Sequence, residues 1–148
     1  MRLVLALLVA VLPLSVAAQP VAILPVKLLD TSHEARDQRA DHDRRLALMA
    51  QVIGAELGDT VAITAADVAS CQPQTTDCLL GLARDKGADQ ALFVVTQKTS
   101  TLILQIFANL VDVRTGAPIR SRTLNFRGDN DDSWRRAARF LARDISRD

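Results

Sequence analysis

Three apolar-rich runs follow one another between Ala91 and Arg127 with only short turns between them, and this spacing constrains the fold more than any other feature of the chain. Ala91-Leu92-Phe93-Val94-Val95 is followed by a turn around Lys98 to Thr101, then by Leu102 to Phe107 with further strand to Val113. Arg114-Thr115-Gly116-Ala117 makes the second turn, and Pro118 to Arg127 alternates Ile119, Ser121, Thr123 and Asn125 against Arg120, Arg122, Leu124 and Phe126. Parallel neighbours need a crossover of about a dozen residues, so connections this short join antiparallel strands. The region is expected to be a three-stranded meander.

The flanking segments supply the other elements. Pro20 to Val26 is a continuous apolar run, the pattern of a strand covered on both faces. A polar, highly charged stretch from Asp30 to Arg45 precedes Leu46, Met49, Ala50, Ile53 and Leu57 at helical spacing, with Gly58 placed to end that helix. Val61 to Thr64 reads as a short strand and Asp67 to Thr76 as a loop; Thr76 or Asp77 can cap a second helix carrying Leu79, Leu82 and Ala83, stopped by Gly87. After Gly128 a last helix places Trp134, Ala137, Ala138, Leu141 and Ile145 on one face and Arg135, Arg136, Arg139 and Arg143 mostly on the other. The expected fold is α/β (α+β): a mixed five-stranded sheet with an antiparallel three-stranded meander and helices packed on it, in the order β-α-β-α-β-β-β-α.

Ahead of this domain, Met1 to Ala18 combines Arg2, an apolar core from Leu3 to Leu12, Pro13, and small residues at Val16 and Ala18. That is the pattern of a secretory signal peptide, with cleavage expected between Ala18 and Gln19 and residues 19–148 forming a single periplasmic domain. The apolar run is shorter than the roughly 20 residues a bilayer span needs, so no membrane span is expected in the mature chain. No cysteine follows the run for lipid attachment. The formal charge of +1 comes down to zero without Arg2, which leaves no electrostatic footprint for nucleic acid. In an oxidising compartment Cys71 and Cys78, the only cysteines, are expected to form a disulfide around a turn-rich loop. The rival readings, a redox pair and half of a metal site, fit less well, because redox pairs favour two intervening residues and two thiolates do not complete a zinc shell.

Chemistry-bearing groups are sparse. There is no Gly-x-Ser-x-Gly elbow, His-Glu-x-x-His, phosphate loop or tyrosine, and no cofactor or catalytic residue is assigned. If Asp30 to Arg45 were helical, His33, Asp37 and Asp41 would share a face at four-residue steps and, with neighbouring His42, could present an imidazole and carboxylates to a metal. The competing reading is a solvated helix start whose acids pair with Arg36, Arg39, Arg44 and Arg45. Gly128-Asp129-Asn130-Asp131-Asp132-Ser133-Trp134 is rich in oxygens, but it lacks the internal glycine and terminal bidentate acid of a helix-loop-helix calcium site. It reads better as a helix cap by Asp129 or Asn130, with Trp134 as a core anchor.

Ala83-Arg84-Asp85-Lys86-Gly87-Ala88-Asp89, followed by Val111 to Gly116, resembles at fold level the amino-terminal domain of the Tol translocation protein B and the curli-secretion and penicillin-binding-protein activator lipoproteins. Lys98-Thr99-Ser100-Thr101-Leu102 together with Leu124 to Ala137 resembles a family of small exported bacterial proteins known as a domain of unknown function. The second resemblance leaves function open; the first, together with the absence of catalytic motifs, implies a non-enzymatic accessory or adaptor domain that binds another, unidentified envelope protein. The expected contact residues are Lys98, Ser100, Arg127 and Asp129 on turns, along with an unpaired edge strand; for Arg127 a salt bridge to Asp129 or Asp131 is an equal alternative. A metal- or small-ligand-binding protein using His33, Asp37, Asp41 and His42 is the alternative function.

Overall fold

The computed structural model describes residues 19–147, so the expected signal peptide, Met1 to Ala18, lies outside the described residues. In chain order the elements are β1 (Val21–Ile23), β2 (Lys27–Asp30), α1 (Arg39–Leu57), β3 (Thr60–Ala62), α2 (Ala65–Ala69), α3 (Thr76–Asp85), β4 (Gln90–Ser100), β5 (Ile103–Asp112), β6 (Pro118–Phe126) and α4 (Asp131–Ser146). Strands run in the order β3-β1-β4-β5-β6. β1 pairs in parallel with β3 and β4, and the β4-β5-β6 meander is antiparallel, so the expected mixed sheet is present.

The sheet has six strands rather than five. The expected strand Pro20 to Val26 ends at Ile23, and β2 then pairs in parallel with β4 farther along. Ile23 lies opposite Leu92 and Lys27 opposite Val95, so four steps of one chain face three of the other, and the extra residue breaks the ladder. Pro25, which has no amide hydrogen to give, sits inside that break. The region expected to be loop also holds α2, whose start is closed by a capping box in which Thr64 and Asp67 bond each other's backbone amides. Helix α3 is capped by Thr75, one residue earlier than expected, and α4 by Asn130, whose side chain accepts from the Ser133 amide at 3.0 Å.

Period-2 alternation along β4 sorts the core into two layers. Leu92 and Val94 face α1 and α4, meeting Met49, Ile53, Trp134 and Leu141. Ala91 and Phe93 face the other side, against Leu79, Leu80, Ala83 and Cys71. Cys71 and Cys78 form the expected disulfide, with Cα atoms 5.8 Å apart, tying the end of α2 to the first turn of α3. Farther along β5 and β6 that second face is uncovered, and Ile103, Phe107 and Ile119 are exposed on it. No helix among the described residues is long and apolar enough to cross a membrane.

Candidate functional site

The same alternation carries Lys98 inward. Leu92, Val94, Thr96 and Lys98 occupy one face of β4, and Lys98 stands opposite Leu104 of β5, fully buried at the end of an otherwise uncharged row. An ammonium there needs compensation. It receives three acceptors: Glu34 Oε2 at 3.0 Å, Gln38 Oε1 at 3.0 Å and Asp129 Oδ2 at 3.1 Å. Burial would depress the Lys98 pKa, but Glu34 and Asp129 outweigh it and hold the group above its ordinary value.

Asp129 is the counterpart, its side chain wholly buried between α1, β4 and α4. Oδ1 accepts from Arg45 Nη1 and Trp134 Nε1, both at 2.9 Å, and Oδ2 accepts from His42 Nε2 at 2.8 Å as well as from Lys98. Burial pushes this carboxyl up, but the bonds from His42, Lys98 and Trp134 and the charge of Arg45 prevail and keep it below the usual carboxylate range. Four donors fill the four acceptor sites of the carboxylate, and three acceptors fill the three hydrogens of the ammonium. Neither group retains a free valence for a substrate or a proton relay.

Backbone contacts complete the corner. The Asp129 amide donates to the Thr101 carbonyl at 2.9 Å, and both the amide and hydroxyl of Thr101 donate to Glu34 Oε1. The Thr31 amide donates to the Lys98 carbonyl at 2.8 Å. The approach into α4 needs Gly128, which has φ 89°; a Cβ there would also lie 2.9 Å from Asn130 Nδ2 and 3.0 Å from Ser133 Oγ. The Lys98–Leu102 string and the Leu124–Ala137 string, far apart in sequence, are thus two walls of one corner. Glu34, held to about 2 from an ordinary 4.5 by Lys98, Gln38 and Thr101, is the third.

Two of the expected contact residues are therefore interior. The side chains of Lys98 and Asp129 are fully buried and engaged with each other, because Lys98 lies on β4 rather than in the turn, which is confined to Thr101 and Leu102. Ser100 is half-buried, its Oγ accepting from the Leu102 amide, and Arg127 is exposed. The alternative salt bridge from Arg127 does not form: Asp129 is filled as described, and Asp131 is taken by Arg44 and Arg45.

The metal arrangement of His33, Asp37, Asp41 and His42 is also not assembled. Helix α1 begins only at Arg39, and His33 lies ahead of it at φ 54°, so the four-residue steps do not stack on one face. Asp37 binds Arg39, Asp41 binds Arg44, and His42 turns inward to Asp129. No group of three or more His, Cys, Asp or Glu residues among the described residues could hold a metal ion.

Beside the corner, an open groove of about 660 Å³ runs between β6 and α4. Helix α4 lies antiparallel along β6: Phe126 packs edge-on against Trp134 at 5.7 Å, whereas Arg122 pairs with Asp144 and Arg120 donates to the Ile145 carbonyl. Leu124, Ala137 and Phe140 line the groove, with Arg127, Arg136, Arg139 and Arg143 among its other lining residues. Phe140 is 51% exposed. The outer edge of β6 pairs with no other strand among the described residues.

A family model named DUF3280 and described as "Protein of unknown function (DUF2380)" matches residues 19–145, nearly all of the described chain. The chain belongs to this family. No curated protein matches the sequence. Among solved structures, the chain is similar to the PelC dodecamer from Paraburkholderia phytofirmans, with 18% identity over 86% of this chain and 84% of that one and a TM-score of 0.53. It is similar also to a Helicobacter pylori protein described as a homolog of a neuraminyllactose-binding hemagglutinin, at 8% identity over 87% and 83% of the two chains and a TM-score of 0.59. TolB from Acinetobacter baumannii is similar at 13% identity over 85% of this chain but 27% of its own, with a TM-score of 0.51. Identities this low show a shared fold, and the expected fold-level likeness to TolB is present.

Proposed function

We propose that this protein is an exported accessory protein that acts by binding another protein of the cell envelope and not by catalysing a reaction. The observation that carries this reading is the contrast at one corner of the molecule. Lys98, Asp129 and His42 are committed to one another inside, while Ser100, Arg127, the groove and the free edge of β6 face outward around them. An open strand edge beside an apolar groove is a recurrent docking arrangement for a second chain. The leader-like residues 1–18 and the Cys71–Cys78 disulfide support export. That PelC, which shares the fold, is a dodecamer adds support only at the level of fold analogy.

In this reading Lys98 and Asp129 hold the surface in place, and Ser100 and Arg127 belong to it. The test is affinity capture from envelope extract of the native host with the chain beginning at Gln19. One protein should be retained by the native chain and by Arg114→Glu in the distant turn, and lost with Phe140→Asp. Capture of the same proteins by all three chains contradicts the reading.

A further inference from the structure

We infer that the β6–α4 groove receives an acidic, extended segment of the partner, which adds as a strand to the outer edge of β6. This inference rests on the binding function proposed above and names the chemistry of what is bound. Its first support is charge. Four guanidinium groups line an apolar trough, and among the described residues Arg127, Arg136 and Arg143 form no ion pair. Arg136 bonds only the Ser133 hydroxyl, at 3.1 Å, and Arg139 reaches Glu56 at 3.5 Å through a half-exposed contact of the kind water screens heavily. Such a concentration of one sign on a chain with formal charge +1 calls for a complementary partner.

The second support is geometry. Because α4 lies alongside β6, a strand added to that edge runs parallel to the arginine row. Arg136 and Arg143 are separated by about 10 Å along the helix axis, with Arg139 between them, at about 1.5 Å per residue. Carboxylates at alternate positions of a strand repeat every 7 Å or so, so two of them span most of this row and each lies within reach of one or two of its flexible guanidiniums. Apolar side chains of the same segment find Leu124, Ala137 and Phe140. A lipid headgroup or a nucleic acid backbone supplies the negative charge but leaves the amides of β6 unused, which is why a peptide strand is favoured.

The probe is a fluorescent peptide of about eight residues alternating glutamate and leucine, kept below its self-association concentration. The comparison probes are a lysine-leucine peptide, the glutamate peptide N-methylated at alternate amides, and phosphatidylglycerol vesicles. The glutamate peptide should bind, the lysine peptide and the N-methylated peptide should not, and amide NMR shifts should concentrate in β6 and α4. The double variant Arg136→Glu/Arg143→Glu, with its melting temperature checked, should weaken binding by roughly tenfold or more. Equal affinity for the double variant, shifts centred elsewhere, undiminished binding of the N-methylated peptide, or binding of vesicles but no peptide would each overturn the inference. If no peptide binds while capture of an envelope protein is still lost with Phe140→Asp, only the acidic strand falls. If capture is also insensitive to Phe140→Asp, the binding function proposed for this surface falls with it.

Discussion

At the scale of single residues, the molecule is organised around two saturated charges. Removing one member of a buried pair leaves the other uncompensated, at a cost of roughly 3–5 kcal/mol. Lys98→Met should therefore lower unfolding stability by about that amount in urea titration, and Asp129→Leu similarly, whereas Lys98→Met/Asp129→Leu should cost clearly less than the two combined. Additive losses would show that the residues do not act as a pair. Glu34 makes the corner sensitive to acid. Its folded pKa lies below its ordinary value, so its contribution is fully present above about pH 4.5 and fades as pH falls toward about 2. The difference in melting temperature between the native chain and Glu34→Gln should be constant above that range and narrow within it; a gap unchanged down to about pH 2 contradicts the assignment. In sequence, His42 and Asp129 gave no sign of each other, because 87 positions separate them and only the fold joins them. Lys98 was within reach: extending the alternation of Leu92 and Val94 through Thr96 places it inward.

At the scale of elements, the meander and the apolar stripes of α1, α3 and α4 were legible because period 2 and period 3.6 are written directly in the residue pattern, whereas the parallel pairing of β1 with β3 and β4 was not, because periodicity does not name a strand's partners. β2 was not, since its pattern is mostly exposed and its only partner is the far half of β4. Helix α2 is a single capped turn or so, too short to show periodicity. It is held by Val68 packed against the core, by the Asp67–Lys86 ion pair and by the adjoining disulfide, whose short ring is worth roughly 2.5 kcal/mol on the chain-entropy model. Reduction should lower the urea midpoint correspondingly and raise amide exchange first in α2 and the start of α3. A midpoint unchanged on reduction would show that the bridge adds nothing to the packing of Cys71 against Leu79 and Leu80.

At the scale of the whole molecule, two layers of helices cover the sheet unequally, leaving β6 as an open edge and α4 as a cationic flank. The alternating arginines of α4 were visible in the sequence as a solvated face, but their placement along a free strand edge is a product of topology and could not be read from helical spacing. Likewise, the two strings that carry the family resemblance showed no mutual contact until the sheet brought Thr101 and Asp129 together. The central claim is that this flank is where another envelope protein docks. The most direct measurement is photo-crosslinking in living cells, with the reactive side chain placed at Asn125 or Phe140 and, for comparison, at Gln72 beyond the disulfide. Adducts with one and the same envelope protein from the first two positions, and none from Gln72, are predicted. Equal adduct yields at all three positions, or no adduct from Asn125 and Phe140 in a chain that retains its native melting temperature, would contradict it.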